Sequence, residues 1–194
     1  MSAFLGPIHY WLYNKILLQE ELMRDIAELA LQNNRISKNN YSYTDGRPLE
    51  EIINTQNIHG WLQERIHSAE SRYAELVTLL LKDNKCLEQL KQTAFDFGKN
   101  HPVSENASPV DAYRIYNDSF VNGMPCDGVN KVTEQENDRV LWEETVDVHS
   151  SYWEFVGGNV ENYYILRTEA FKGMLDKTDL AFSELSPKHY GIGR

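Results

Sequence analysis

Val140-Leu141-Trp142-Glu143-Glu144-Thr145-Val146-Asp147-Val148-His149 is the stretch whose reading decides the fold. Val140, Trp142, Glu144, Val146 and Val148 occupy one side of a period-two pattern, and Leu141, Glu143, Thr145, Asp147 and His149 the other. Such alternation in a run rich in β-branched residues predicts a strand ending at His149. A helix is the competing reading, because Leu141, Thr145, Val148, Tyr152 and Phe155 also recur at helical spacing. The strand makes the chain a helix-dominated α+β domain; the helix makes it an all-α bundle.

The flanks favour the strand. Ser151-Tyr152-Trp153-Glu154 has the pattern of a capping box and opens a short helix, which Gly157-Gly158-Asn159 stops. Residues 160–175 form an amphipathic helix. Leu180 and Phe182, then Ser186-Pro187-Lys188-His189-Tyr190-Gly191, predict a strand, a turn and a last strand. Upstream, Ser108-Pro109 starts a short helix to about Val121, followed by the loop Asn122-Gly123-Met124-Pro125-Cys126-Asp127-Gly128.

The first hundred residues are helical throughout. A helix begins near Pro7, and its face holds Ile8, Leu12, Lys15, Gln19, Leu22, Met23, Ile26, Leu29 and Ala30, before Asn33-Asn34 ends it. Residues 33–47 are a loop by composition. Helix resumes at Pro48, and the spacing of Ile58, Leu62, Ile66, Ala69, Tyr73, Leu76, Leu80, Leu87, Leu90, Ala94 and Phe97 breaks only at Lys82-Asp83-Asn84-Lys85. Gly98 is expected to cap this region ahead of Pro102. One domain over residues 1–194 results, with a helical half (1–100) and an α+β half (108–194).

With 194 residues and no repeat, the chain is long enough for a core without disulfide or metal staples. Residues 1–100 hold 11 basic and 13 acidic side chains and residues 101–194 hold 8 and 16, so the excess negative charge lies in the second half. A phosphate backbone is repelled there, which argues against a nucleic-acid partner. No apolar run approaches the ~20 residues of a membrane helix, and Cys86 and Cys126 have neither a disulfide framework nor metal-ligand spacing. A cytoplasmic protein with reduced thiols and no membrane partner is expected. The sequence names no cofactor.

Residues 139–194 resemble the small-molecule domains of the 2-amino-thiazoline-4-carboxylic acid hydrolase and 4-vinyl-reductase type. The resemblance rests on the strand ending at Val148-His149, Trp153-Glu154 with Gly157-Gly158, Leu166-Arg167, and Phe182, Glu184-Leu185 and Gly191-Ile192-Gly193-Arg194. It implies an α+β fold and brings no activity with it, because this chain has no cysteine near 148 or beyond 190, where such domains often carry one.

Several side chains stand out chemically. Arg167 sits amid Val160, Tyr164, Phe171 and Met174 on one helix face, so its guanidinium either meets an internal carboxylate, snorkels to the surface or holds an anionic ligand. Arg65 and Arg114 likewise fall within about 60° of apolar faces. His9, Trp11 and Tyr13 make an aromatic helix start, His59 lies at a core edge, and Cys126 sits in a loop, where a thiolate with His149 near it could act as a nucleophile. Glu64 and His67 have di-metal spacing but no second copy, and the wheel turns them to solvent.

The expectation is a small-molecule-binding domain whose pocket, between the N-terminal helices and the sheet, holds His9, Trp11, Tyr13, His59, His149, Trp153 and Arg167. A hydrolase for a small carboxylate, with Cys126 or His149 catalytic, is the alternative from another class. A homodimer seamed through helices 58–97 and a metal-binding helical protein are further alternatives.

Overall fold

The computed structural model describes residues 4–194. Seven helices precede or interleave with one four-stranded antiparallel sheet of order β1-β2-β4-β3. The elements are α1 (Pro7–Gln32), α2 (Leu49–Ile52), α3 (Ile58–Leu80), α4 (Leu87–Asn100), α5 (Pro109–Ser119), β1 (Asn130–Gln135), β2 (Arg139–Glu144), α6 (Ser150–Phe155), α7 (Glu161–Leu175), β3 (Ala181–Ser186) and β4 (His189–Gly193). The helix-dominated α+β class follows. Among the described residues, no helix is long and apolar enough to cross a membrane.

α1 and α3 pack along their apolar stripes, burying Leu12, Ile16, Met23 and Ile26 with Leu62, Ile66, Tyr73 and Leu76. Leu90, Ala94 and Phe97 of α4 join the same core. The face proposed above as a dimer seam is therefore consumed inside the chain. Pro48 opens only the single turn α2; α3 starts afresh at Ile58, where Asn57 accepts a hydrogen bond from the Gly60 amide at 3.1 Å. The break at 82–85 separates α3 from α4 through a short 3-10 turn at 84–86.

Gly98 is not a cap. It lies inside α4 against α7, where a β-carbon built on it would sit 1.9 Å from the Ala170 carbonyl oxygen. Gly173 makes the reciprocal approach, 2.0 Å from the Phe95 carbonyl oxygen. The two helices cross with their backbones in contact.

The sheet differs from expectation at both ends of the deciding stretch. β2 stops at Glu144 rather than His149, because Asp147 turns the chain: its carboxylate accepts from the His149 and Ser150 amides, both at 3.0 Å, and from the Ser150 hydroxyl at 2.5 Å. This turn, not Ser151, opens α6. β1 was not legible, since Asn130–Gln135 is polar, largely exposed and without alternation; it exists because it pairs with β2 from Asn130↔Glu144 to Gln135↔Val140. β2 and β4 pair without interruption, whereas the outer strands carry register shifts at Val132/Glu134 and Glu184/Ser186. Above the sheet, Tyr116 of α5 meets Trp142 and Phe171 with ring centroids 4.9 and 5.0 Å away.

Candidate functional site

The expected single pocket does not form; its residues are distributed over distinct environments. His9 is the third residue of α1, and its Nδ1 accepts from the Gly6 amide at 2.9 Å, so it serves the helix start, 5.6 Å by ring centroid from the exposed His59. Trp153 is wholly buried, with its ring edge-on to Tyr73, and belongs to the core. Cys126 is exposed on the 3-10 turn Pro125–Asp127 and is absent from the ring and hydrogen-bond contacts of His149. Glu64 and His67 are exposed, and among the described residues no group of three or more His, Cys, Asp or Glu side chains is arranged to hold a metal.

Arg167 is held by an internal carboxylate. Its Nη1 donates to Glu144 Oε1 at 2.5 Å, both side chains being almost fully buried, and the Tyr116, Tyr163, Tyr164 and Tyr190 rings lie 5.0–5.5 Å from the guanidinium carbon. β2 supplies the carboxylate at its last residue and α7 the cation from its buried face. Among the described residues Nε and Nη2 have no hydrogen-bond acceptor, and the rings surround them instead.

His149 belongs to a buried polar chain. Its Nδ1 meets Glu70 Oε2 at 3.0 Å, its Nε2 meets Asn122 Oδ1 at 3.3 Å, and Tyr163 stacks on the ring at 3.8 Å between centroids. Gln19 donates to the other Glu70 oxygen at 3.0 Å, Asn122 donates to Asn130 at 3.1 Å, and Asn130 donates to Asn117 at 3.2 Å. Asn122 uses its amino group on Asn130, so its oxygen is the atom that faces Nε2. Both imidazole nitrogens are thus engaged within the fold.

Asp147 holds this histidine's backbone. Burial pushes the Asp147 carboxyl up, but hydrogen bonds from the Ser150 hydroxyl, the Ser150 and His149 amides and Lys188 outweigh it and hold the group well below the usual carboxylate range. A depressed folded-state value means that the stabilisation is fully present above the unfolded value near 4 and is lost as pH falls through the folded one. Asp147→Ala is expected to cost about 1 kcal/mol at pH 7. Urea titrations at a series of pH values check this: the gap between variant and parent should stay constant above about pH 5 and shrink steadily in more acidic solution.

Two cavities flank α1. The first, about 360 Å³, lies between α1, α3 and the 43–52 segment. Tyr13, Tyr43 and Trp61 supply its aromatic wall, and Glu20, Asp45, Arg47, Arg65 and Arg72 its charges. Arg72 is taken by Glu20, with Nη1 at 2.9 Å from Oε2, and by the Tyr41 carbonyl; Arg47 is taken by Asp45 at 2.9 and 2.6 Å. Arg65 remains. Its guanidinium carbon lies 5.1 Å from the Trp61 ring centroid, its Nε is buried without an acceptor, and among the described residues no carboxylate stands within salt-bridge distance of it. The other eight arginines each have such a partner.

The second cavity, about 230 Å³, is lined by Trp11 and Lys15 of α1, Tyr113 and Asn117 of α5, and the 122–130 loop with the start of β1. Lys15 is buried, with its Nζ 4.2 Å above the Trp11 ring, while Trp11 Nε1 donates to Asp118 at 2.7 Å. Burial pushes the Lys15 ammonium down to about 8, against a weaker upward pull from Asp118. Lys15, Gln19 and Glu70 were not singled out from the sequence. The signal was there for two of them: Lys15 and Gln19 stand on the apolar stripe of α1.

Comparison with protein-family models, with curated proteins and with solved structures gives no match.

Proposed function

We propose that this chain is a small-molecule-binding protein whose 360 Å³ cavity takes a compact anion carrying a flat ring. The observation that carries this reading is the unpaired guanidinium of Arg65 on the wall of that cavity, stacked on Trp61. Three arginines against two carboxylates leave one positive charge, and the two paired arginines fix where it is. A buried N–H without an acceptor costs free energy that a ligand oxygen would recover. Tyr13 and Trp61, with ring centroids 5.7 Å apart, supply the apolar surface for a ring, and the cavity volume lies at the lower end for small-molecule sites. A hydrolytic role has less support, because Cys126 is absent from the hydrogen-bond and ring contacts of His149.

Titration calorimetry with benzoate, indole-3-carboxylate and the neutral benzamide tests the reading. The carboxylates are expected to bind and benzamide not to. Arg65→Gln should weaken carboxylate binding roughly 10–100-fold, the worth of a charge-assisted hydrogen bond, with little change in melting temperature. Equal binding of benzamide and benzoate, or an unaffected variant, would sink it.

A further inference from the structure

We propose that Lys15 is a carbonyl-reactive amine, and that the 230 Å³ cavity it lines admits a small uncharged aldehyde or ketone that it captures as an imine. This site is separate from the Arg65 cavity and the inference does not depend on it.

Three observations converge. Lys15 is 2% exposed, yet it has no hydrogen bond and no carboxylate within ion-pair distance among the described residues; its nearest favourable contact is the Trp11 ring. An ammonium ion is poorly served there, which favours the neutral, nucleophilic form. With its acidity near 8, roughly a tenth of the group is free amine at pH 7, some three-hundred-fold more than for a lysine in water. The cavity also contains a built polar wall: Asn117 accepts from Asn130 at 3.2 Å, and among the described residues its own amino group has no acceptor. That amino group can donate to an oxygen on which negative charge develops. Asn130 and Asn122 hold Asn117 in line with the buried His149–Glu70 pair, so its orientation is fixed from behind.

The chemistry balances without a metal or redox partner. The Nζ lone pair forms a C–N bond to the carbonyl carbon as the π electrons move to oxygen. A proton leaves nitrogen, the oxygen gains one, and the carbinolamine forms. Loss of this hydroxyl with the remaining N–H proton gives one water and the imine.

The test uses the full chain with glycolaldehyde and cyanoborohydride at pH 7, the reductant converting any imine into a stable secondary amine that peptide mapping locates. Lys15 is expected to be modified at least tenfold faster than any of the other nine lysines. Lys15→Met should abolish the fast adduct while leaving the melting temperature unchanged or higher, because a desolvated cation has been removed. Asn117→Leu should slow modification about tenfold with the fold intact by circular dichroism, an effect that a merely structural Lys15 would not show. Modification of Lys15 no faster than that of surface lysines, or only in denaturant, would overturn the proposal. An unchanged rate in Asn117→Leu would overturn the role given to the amide.

Discussion

Arg167→Ala is expected to destabilise the protein by about 3–5 kcal/mol, because it strands the Glu144 carboxylate in a core of aromatic rings. Among the described residues Glu144 has one other side-chain partner, the Tyr116 hydroxyl at 3.5 Å, which is too long to replace a guanidinium. Glu144→Ala should cost a similar amount for the mirror-image reason. Arg167→Lys retains the charge but loses the planar fork that lies among four rings, and should fall between. The double variant Arg167→Met with Glu144→Leu removes both charges and both desolvation costs, so it should lie within about 1 kcal/mol of the parent or exceed it. Guanidinium denaturation of the four proteins measures this. If both single alanine variants unfold at the parent's midpoint, the pair is not buried as described.

The second large effect lies where α4 and α7 cross. In an open helix, Gly98→Ala would stabilise by up to about 1 kcal/mol, through propensity alone. Here the added methyl meets the Ala170 carbonyl, which is backbone and can give way only if α7 shifts. The expected result is a loss of about 3 kcal/mol, at the upper end of overpacking costs. Gly173→Ala should behave alike, and the double variant should cost less than the sum, since the first methyl has already parted the helices. The sign of the change in melting temperature decides the matter: a stabilised Gly98→Ala would mean that the helices do not touch there.

What the sequence revealed and what it hid follow from one distinction. Features specified by a residue and its neighbours along one element were legible: the starts of α1 and α5 at prolines, the apolar stripes, the strand character of 140–144, and the need of Arg167 for a partner. Features specified across elements were not. β1 has no apolar face of its own and exists through pairing with β2. Gly98 reads as a cap in one dimension because glycine ends helices, and only the presence of α7 shows that its missing side chain makes room. The same holds for the polar groups: Lys15 and Gln19 were visible on an apolar face, but that Gln19 meets Glu70, 51 positions away, is a fact about how α1 lies on α3. Arg65 faces inward on the helical wheel, yet that it has no carboxylate partner among the described residues follows only from Glu20 and Asp45 being taken by other arginines.

The placement of the two register shifts has a consequence for how copies of this chain meet one another. Each lies in an outer strand, while the central β2–β4 ladder is uninterrupted. An outer strand with a free row of amides and carbonyls is a template on which further chains can nucleate aggregation. A bulge twists that row and puts one residue out of phase. On β1 the ion pairs of Lys131 with Glu143 and of Arg139 with Glu134 add charge that an arriving strand would have to strip of water. A fifth strand approaching either margin would find donors and acceptors falling out of step partway along, so growth of the sheet by accretion ends at four.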